Sequence, residues 1–220
     1  MNAALDFLRK HVRSYAHGVA RLLNSFSSGR ITPNQVTIVG LLMHIPIAFL
    51  IAQGQFVLAA ALLAVFGLFD TLDGELARLQ RRDSAAGMVL DASTDRIKEV
   101  FLYAGVGYSL AQSSRATDAV WAVLACGFSL SVSYVKAKGE TAVAKSDLTV
   151  SQVNRLFQDG LLRFEVRMGL LIIGLVIGQL QLATIAIAAL SAYTAVDRLV
   201  RITQSLDADA HAKRHQEPHA

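Results

Sequence analysis

Residues 69–100 read FDTLDGELARLQRRDSAAGMVLDASTDRIKEV, and the sequence on both sides of them is largely apolar enough for a membrane. Asp70 and Asp73 are spaced i,i+3, and Asp91 and Asp95 i,i+4, so each pair shares one face of its own helix. An acidic residue within a bilayer costs about 2.5 to 3.5 kcal/mol on insertion scales. Four converging acids would also repel one another, and a bound divalent cation relieves that repulsion. The first reading is therefore a metal site that opens from the membrane toward the cytosol. Gly74, Ala77 and Gly87 continue the acidic faces, and small residues there let a backbone or a ligand come close.

Outward from this stretch, apolar runs give six predicted spans, at 34–53, 56–80, 87–111, 117–138, 161–178 and 180–202. Each is near the ~20 residues that a helix needs to cross a bilayer. Uncharged turns at Gln53-Gly54-Gln55 and Gly178-Gln179-Leu180-Gln181 close hairpins between spans one and two and between spans five and six. The hydrophobic share of 53% with only 3 prolines favours helices packed through small residues in lipid over a soluble domain. The lone cysteine, Cys126, excludes an intrachain disulfide. The expected fold is an all-α integral membrane protein with six transmembrane helices and an N-terminal amphipathic juxtamembrane helix.

Lys and Arg placement sets the orientation. Arg9, Lys10, Arg13, Arg21 and Arg30 precede span one, and Arg78, Arg81 and Arg82 close span two. Lys136, Lys138, Lys145, Arg155, Arg163 and Arg167 join spans four and five, while Arg198, Arg201, Lys213 and Arg214 end or follow span six. The opposite loops hold Arg115 alone. Both termini and the acidic motif are thus expected in the cytosol, in a multi-pass protein of the cytoplasmic membrane. Read this way, the positive charge marks loops, and no nucleic-acid partner is expected. Residues 1–30 space Leu5, Leu8, Val12, Tyr15, Val19 and Leu22 helically between basic residues, as an amphipathic helix on the anionic inner leaflet would. No cleavable signal peptide is expected from that charged start. Residues 31–205 form the predicted membrane domain, and 206–220, without an apolar face, a disordered cytosolic tail.

The run Asp70-x2-Asp73-Gly74-x2-Ala77-Arg78-x8-Gly87-x3-Asp91-x3-Asp95 resembles the signature of the CDP-alcohol phosphotransferase family, with every fixed position matched. The resemblance implies an enzyme that moves a phosphoalcohol from a CDP-linked donor to an acceptor hydroxyl and releases CMP. It also implies Mg²⁺ or Mn²⁺, two ions, at the aspartates. By resemblance Asp70, Asp73 and Asp91 are metal ligands, and Asp95 is the general base that also approaches the second metal. Carboxylate-held divalent ions neutralise a pyrophosphate and stabilise the leaving group, and one carboxylate must be free to take the acceptor's proton. The residue types alone leave base and ligand unseparated among the four.

The same resemblance assigns Asp70, Asp73, Gly74, Ala77, Arg78 and Gly87 to donor binding, with Arg78 on the donor phosphates. Ile31 to Thr37 resembles the family's TPN-x-x-T segment and adds Pro33, Asn34, Gln35 and Val36; Ser84 is a further donor candidate. Locally, Thr32 suits a helix cap with Pro33 at the first helical position. An ion-pair network with Arg78, Arg81, Arg96 and Lys98 would need cations alternating with the acids on one face. The basic residues instead cluster at helix ends, where snorkelling accounts for them.

Ser133-Tyr134-Val135-Lys136-Ala137-Lys138 is similar to a segment of the prokaryotic phosphatidylinositol phosphate synthases within that family. The resemblance implies CDP-diacylglycerol as donor, inositol 1-phosphate as acceptor, and acceptor binding by Ser133, Lys136, Arg163, Arg167 and Arg198. Positive loop charge does not explain a serine and a lysine in the last turns of span four. The family resemblance further implies a homodimer, which Gly, Ala and Ser on spans three and four would permit. Alternatives are a phosphatidylglycerophosphate synthase with glycerol 3-phosphate as acceptor, an archaeal ether-lipid equivalent, and, in another class, a cation transporter. A transporter would show internal repeats and midplane acids, neither of which the sequence displays.

Overall fold

The computed structural model describes residues 2–113, 115–143 and 164–216, and every regular element among them is helical. The chain divides into two units, residues 1–116 and 117–220. The first contains α1 (Asn2–Phe26), α2 (Pro33–Ala52), α3 (Phe56–Phe66), α4 (Phe69–Gln80) and α5 (Ala85–Ala111). The second contains α6 (Ala119–Val143), α7 (Phe164–Val176) and α8 (Leu180–Gln216).

A capping box starts α2. The Gln35 amide donates to Thr32 Oγ1 at 3.3 Å, and the Thr32 amide donates to Gln35 Oε1 at 2.9 Å. Pro33 follows the cap, where its missing N–H costs nothing. The chain reverses after α2 through Gly54, whose φ of +74° suits glycine. It then climbs through α3 and α4, which are separated only by Gly67 and Leu68 in helical-range conformations. Arg81 ends α4 in the left-handed region with φ 53°, and Ser84 caps α5 by accepting from the Gly87 amide at 3.0 Å. In the core, α5 packs along α2, and α4 packs on α1 and α2. Gly105 makes the α2–α5 approach possible, because a Cβ there would run into the carbonyl of Ala48.

The helix α1 packs on α4 through Ala16 and Ala20. Ala20, fully buried, sits in a cluster with Val36, Leu72 and Leu76. Its other side exposes Tyr15, Leu22 and Phe26.

In the second unit α8 packs along α6, and α7 folds back on α8. The α7–α8 turn pivots on Gly178, φ +68°, and Gly174 is so close to Ala183 that a Cβ would clash with it. Thr184 and Thr194 on α8 each donate to their own helix, to the Leu180 and Leu190 carbonyls at 2.7 Å. The chain is helical through Gln216, so α8 runs into the polar segment that begins at 206. Ala208, Ala210 and Ala212 are strong helix formers there, and Asp209 precedes Lys213 by one turn.

Four helices among the described residues are long and apolar enough to cross a membrane: Pro33–Ala52, Phe56–Gln80, Ala116–Val143 and Leu180–Asp209. These fit a multi-pass membrane protein and match expected spans one, two, four and six. Span three appears as α5, of 27 residues, which carries Asp91, Asp95, Arg96, Lys98 and Glu99 and is more densely charged than those four helices. Span five appears as α7, of 13 residues, and residues 161–163 of that expected span lie outside the described residues.

Candidate active site

Two helices bring the acids together within the first unit. Side-chain oxygens of Asp70 from α4 and of Asp91 and Asp95 from α5 all lie within 4.8 Å of one another. Asp73, one turn along α4, stands outside that set, and its Oδ2 accepts a hydrogen bond from Thr37 Oγ1 on α2. Asp91 Oδ1 is buried without a hydrogen-bond partner among the described residues. An unsatisfied buried oxygen of this kind costs about 1–3 kcal/mol. Three half-buried carboxylates at this spacing, one with an oxygen left open, fit a hard divalent cation, which takes oxygen ligands.

Inside this group lies a cation the sequence reading misplaced. Lys98, whose side chain is 0% exposed, donates from Nζ to Asp70 Oδ1 and, at 3.2 Å, to Asp95 Oδ1. Arg96 is within 3.6 Å of Asp95 Oδ2 and 3.5 Å of Glu99 Oε1. Lys98 therefore does not snorkel. It sits one turn past Asp95, on the same face, and is drawn into the cluster by two carboxylates.

Beside the acids, a cleft of about 530 Å³ runs between the start of α2, the end of α4 and the start of α5. It is lined by Pro33, Asn34 and Thr37, by Asp73, Gly74, Ala77 and Arg78, and by Ser84, Gly87 and Asp91. Of the donor candidates, Asp70, Gln35 and Val36 are not on its wall. The Gln35 side chain is engaged in the α2 cap, and Val36 is buried in the cluster under α1. Gly87 is needed for shape: a Cβ would come within 3.2 Å of Ser84 Oγ and 3.7 Å of Asn34 Oδ1.

Arg78 is held in place from below. Its guanidinium donates to Glu75 Oε1 at 2.7 Å, Arg13 Nε of α1 donates to the same oxygen at 2.8 Å, and His17 Nδ1 is 3.1 Å from Oε2. Glu75, 5% exposed, thus ties α1 to α4 and fixes the arginine at the cleft. Sequence reasoning missed Glu75 and Thr37. The Glu75-x-x-Arg78 spacing, a helical i,i+3 pair, was the available signal for the first.

The acceptor candidates belong to the second unit. Arg167 and Arg198 are buried, 1% and 6% exposed, and Arg198 Nη1 reaches the Val132 carbonyl at 3.5 Å, next to Ser133. Ser133 Oγ donates to the Ser129 carbonyl at 3.4 Å, and half-exposed Lys136 pairs with Glu140 at 3.7 Å. Arg163 lies outside the described residues.

The family model for CDP-alcohol phosphatidyltransferase matches residues 30–196, which contain every one of these acids. The chain belongs to the CDP-alcohol phosphatidyltransferase family. As a CDP-alcohol phosphatidyltransferase it is a transferase of phospholipid biosynthesis, which sets the transporter reading aside. It is 34% identical over 206 residues to phosphatidylinositol phosphate synthase of Corynebacterium glutamicum, covering 90% of this chain and 88% of that one. Among solved structures it resembles Mycobacterium tuberculosis phosphatidylinositol phosphate synthase with CDP-DAG bound. That match has TM-score 0.72 and 25% identity and covers 85% of this chain and 92% of that one. The same mycobacterial enzyme in complex with manganese and citrate matches with TM-score 0.72 and 25% identity, over 85% of this chain and 88% of the other.

Proposed function

We propose that this CDP-alcohol phosphatidyltransferase moves the phosphatidyl group of CDP-diacylglycerol to a hydroxyl of inositol 1-phosphate. The observation that carries the reading is the convergence of Asp70, Asp91 and Asp95 beside a cleft walled by Asp73, Gly74 and Arg78. The cleft takes the CMP portion of the donor. Pro33, Asn34 and the small residues 74, 77 and 87 leave it room, and Arg78, oriented by Glu75, binds the donor phosphates. Asp70, Asp73, Asp91 and Asp95 hold Mg²⁺ or Mn²⁺, two ions in the full site. A metal held there would neutralise the pyrophosphate and stabilise the departing CMP.

Asp95 accepts the proton of the acceptor hydroxyl. The freed oxygen forms its bond to the lipid-bearing phosphorus as the bond from that phosphorus to the CMP oxygen breaks. Thr37 restrains Asp73 as a ligand by occupying one of its oxygens. Ser133, Lys136, Arg163, Arg167 and Arg198 bind the acceptor. A phosphate monoester carries about −1.5 to −2 charge near neutral pH, and buried arginines suit it better than an uncharged polyol.

The same reading includes six transmembrane helices, with the site and both termini cytosolic. It places α1 at the membrane surface, with Tyr15, Leu22 and Phe26 toward lipid, and makes the protein a homodimer. Purified protein supplied with CDP-diacylglycerol and a panel of alcohols tests the assignment through CMP release. Inositol 1-phosphate is expected to be fastest. Faster release with glycerol 3-phosphate would transfer the assignment to phosphatidylglycerophosphate synthesis.

A further inference from the structure

Lys98 has no role in the reaction just described, yet its ammonium is bound to two of the three acids that converge. Its side chain is wholly buried, and its ammonium bridges carboxylates from two helices, Asp70 of α4 and Asp95 of α5. Asp91, the third member of the cluster, keeps a buried oxygen without a hydrogen-bond partner among the described residues. Three acids facing one another need a counter-charge before any metal arrives, since unpaired charges are not tolerated in an interior. Lys98 supplies one positive charge from within the chain. It also stands where a divalent ion would be drawn, on two of the three carboxylates that converge.

We propose that Lys98 is the built-in cation of this site, which holds Asp70 and Asp95 together in the metal-free enzyme and weakens metal binding by competing for them. The inference rests on the metal reading above. Asp91, with its open oxygen, is the first ligand an incoming ion meets. Asp70 and Asp95 become fully available only as the ammonium gives way, or once a pyrophosphate adds negative charge to the site. Metal loading is thereby tied to donor binding, and the enzyme holds little metal in its absence. Two effects oppose each other when the lysine is removed: relief of ammonium–metal repulsion strengthens binding, and loss of the bridge loosens the ligands. The first is larger, because the repulsion is between full charges a few ångströms apart in a poorly screened interior, whereas the metal itself redraws the carboxylates together.

The test is Mn²⁺ titration of detergent-purified protein without nucleotide, followed by electron paramagnetic resonance. Lys98→Met and Lys98→Gln, neutral and of similar length, are expected to bind Mn²⁺ at least tenfold more tightly than wild type. Lys98→Arg keeps the charge and is expected to stay within about threefold of wild type. Thermal melts supply the second readout: the neutral variants melt lower than wild type without Mn²⁺ and regain that loss when it is added. Equal or weaker Mn²⁺ binding by the neutral variants overturns the competition, as does tight binding by Lys98→Arg. Failure of both neutral variants to fold even with Mn²⁺ present overturns it too, leaving a purely structural lysine. Absence of Mn²⁺ binding by wild type and neutral variants alike is a different result, which removes the metal reading and this proposal with it.

Discussion

At the scale of single residues, the four aspartates are not equivalent in their surroundings, and their variants should fail differently. Asp91 has an open buried oxygen, Asp73 shares an oxygen with Thr37, and Asp95 touches Lys98 and Arg96. Asp91→Asn is expected to lose Mn²⁺ binding and turnover together, since an amide oxygen is a poor ligand beside the remaining acids. Asp95→Asn is expected to lose turnover while retaining donor binding better than Asp91→Asn, because the acceptor's proton is taken only after the donor is in place. Isothermal titration with a CDP-lipid beside a CMP-release assay separates the two. Glu75 offers a second prediction. With its carboxylate replaced in Glu75→Gln, Arg78 loses a charge-assisted hydrogen bond of about 1.5–3 kcal/mol, and the KM for CDP-diacylglycerol should rise roughly tenfold or more. The KM for the acceptor should not move. Equal rises in both constants would show that Glu75 merely supports the fold.

At the scale of helices, the sequence was legible where geometry is local. Thr32 and Pro33 mark a helix start, Gly54 and Gly178 mark the reversals, and each lies where the structure has it. The aspartate spacing likewise anticipated the meeting of Asp70, Asp91 and Asp95, while Asp73 turns to Thr37 on the cleft wall instead. Partners from distant segments were not legible. Lys98 reads as an end-of-helix cation until Asp70, on another helix, is known to face it, and the Glu75 pair with Arg13 links residues 62 apart. The α2–α5 contact gives the element-scale prediction. Gly105→Leu puts a side chain against the Ala48 backbone, which cannot yield as a flexible side chain would, and overpacking of this sort costs about 1–3 kcal/mol. The melting temperature should fall, while Gly127→Leu on α6, where a Cβ meets nothing within 4 Å, leaves it near wild type.

At the scale of the molecule, two units of apolar helices with charge gathered near certain helix ends describe a chain meant for lipid, and its orientation can be measured. In a background with Cys126→Ala, a cysteine introduced at Gln55 or Gln179 should react with an impermeant maleimide from outside. One introduced at Asp83, in the α4–α5 turn, should react only after permeabilisation. The opposite pattern would put the acidic cluster on the wrong side for a cytosolic acceptor.

The burial of Lys98 against Asp70 also bears on how the chain enters the membrane during synthesis. Taken alone, α5 is a poor candidate for the insertion machinery. Asp91, Asp95, Arg96, Lys98 and Glu99 lie within nine residues. A charged residue near the middle of a lone helix costs about 2.5 to 3.5 kcal/mol, against about 0.3 to 0.6 returned by each large aliphatic one. The remedy is already present, because Asp70 leaves the ribosome 28 residues ahead of Lys98. At translation rates of roughly 5–20 residues per second, the two are separated by only seconds. In the proposed six-span topology, entry of α4 and α5 as one hairpin would let Asp70 neutralise Lys98 before either helix meets lipid alone.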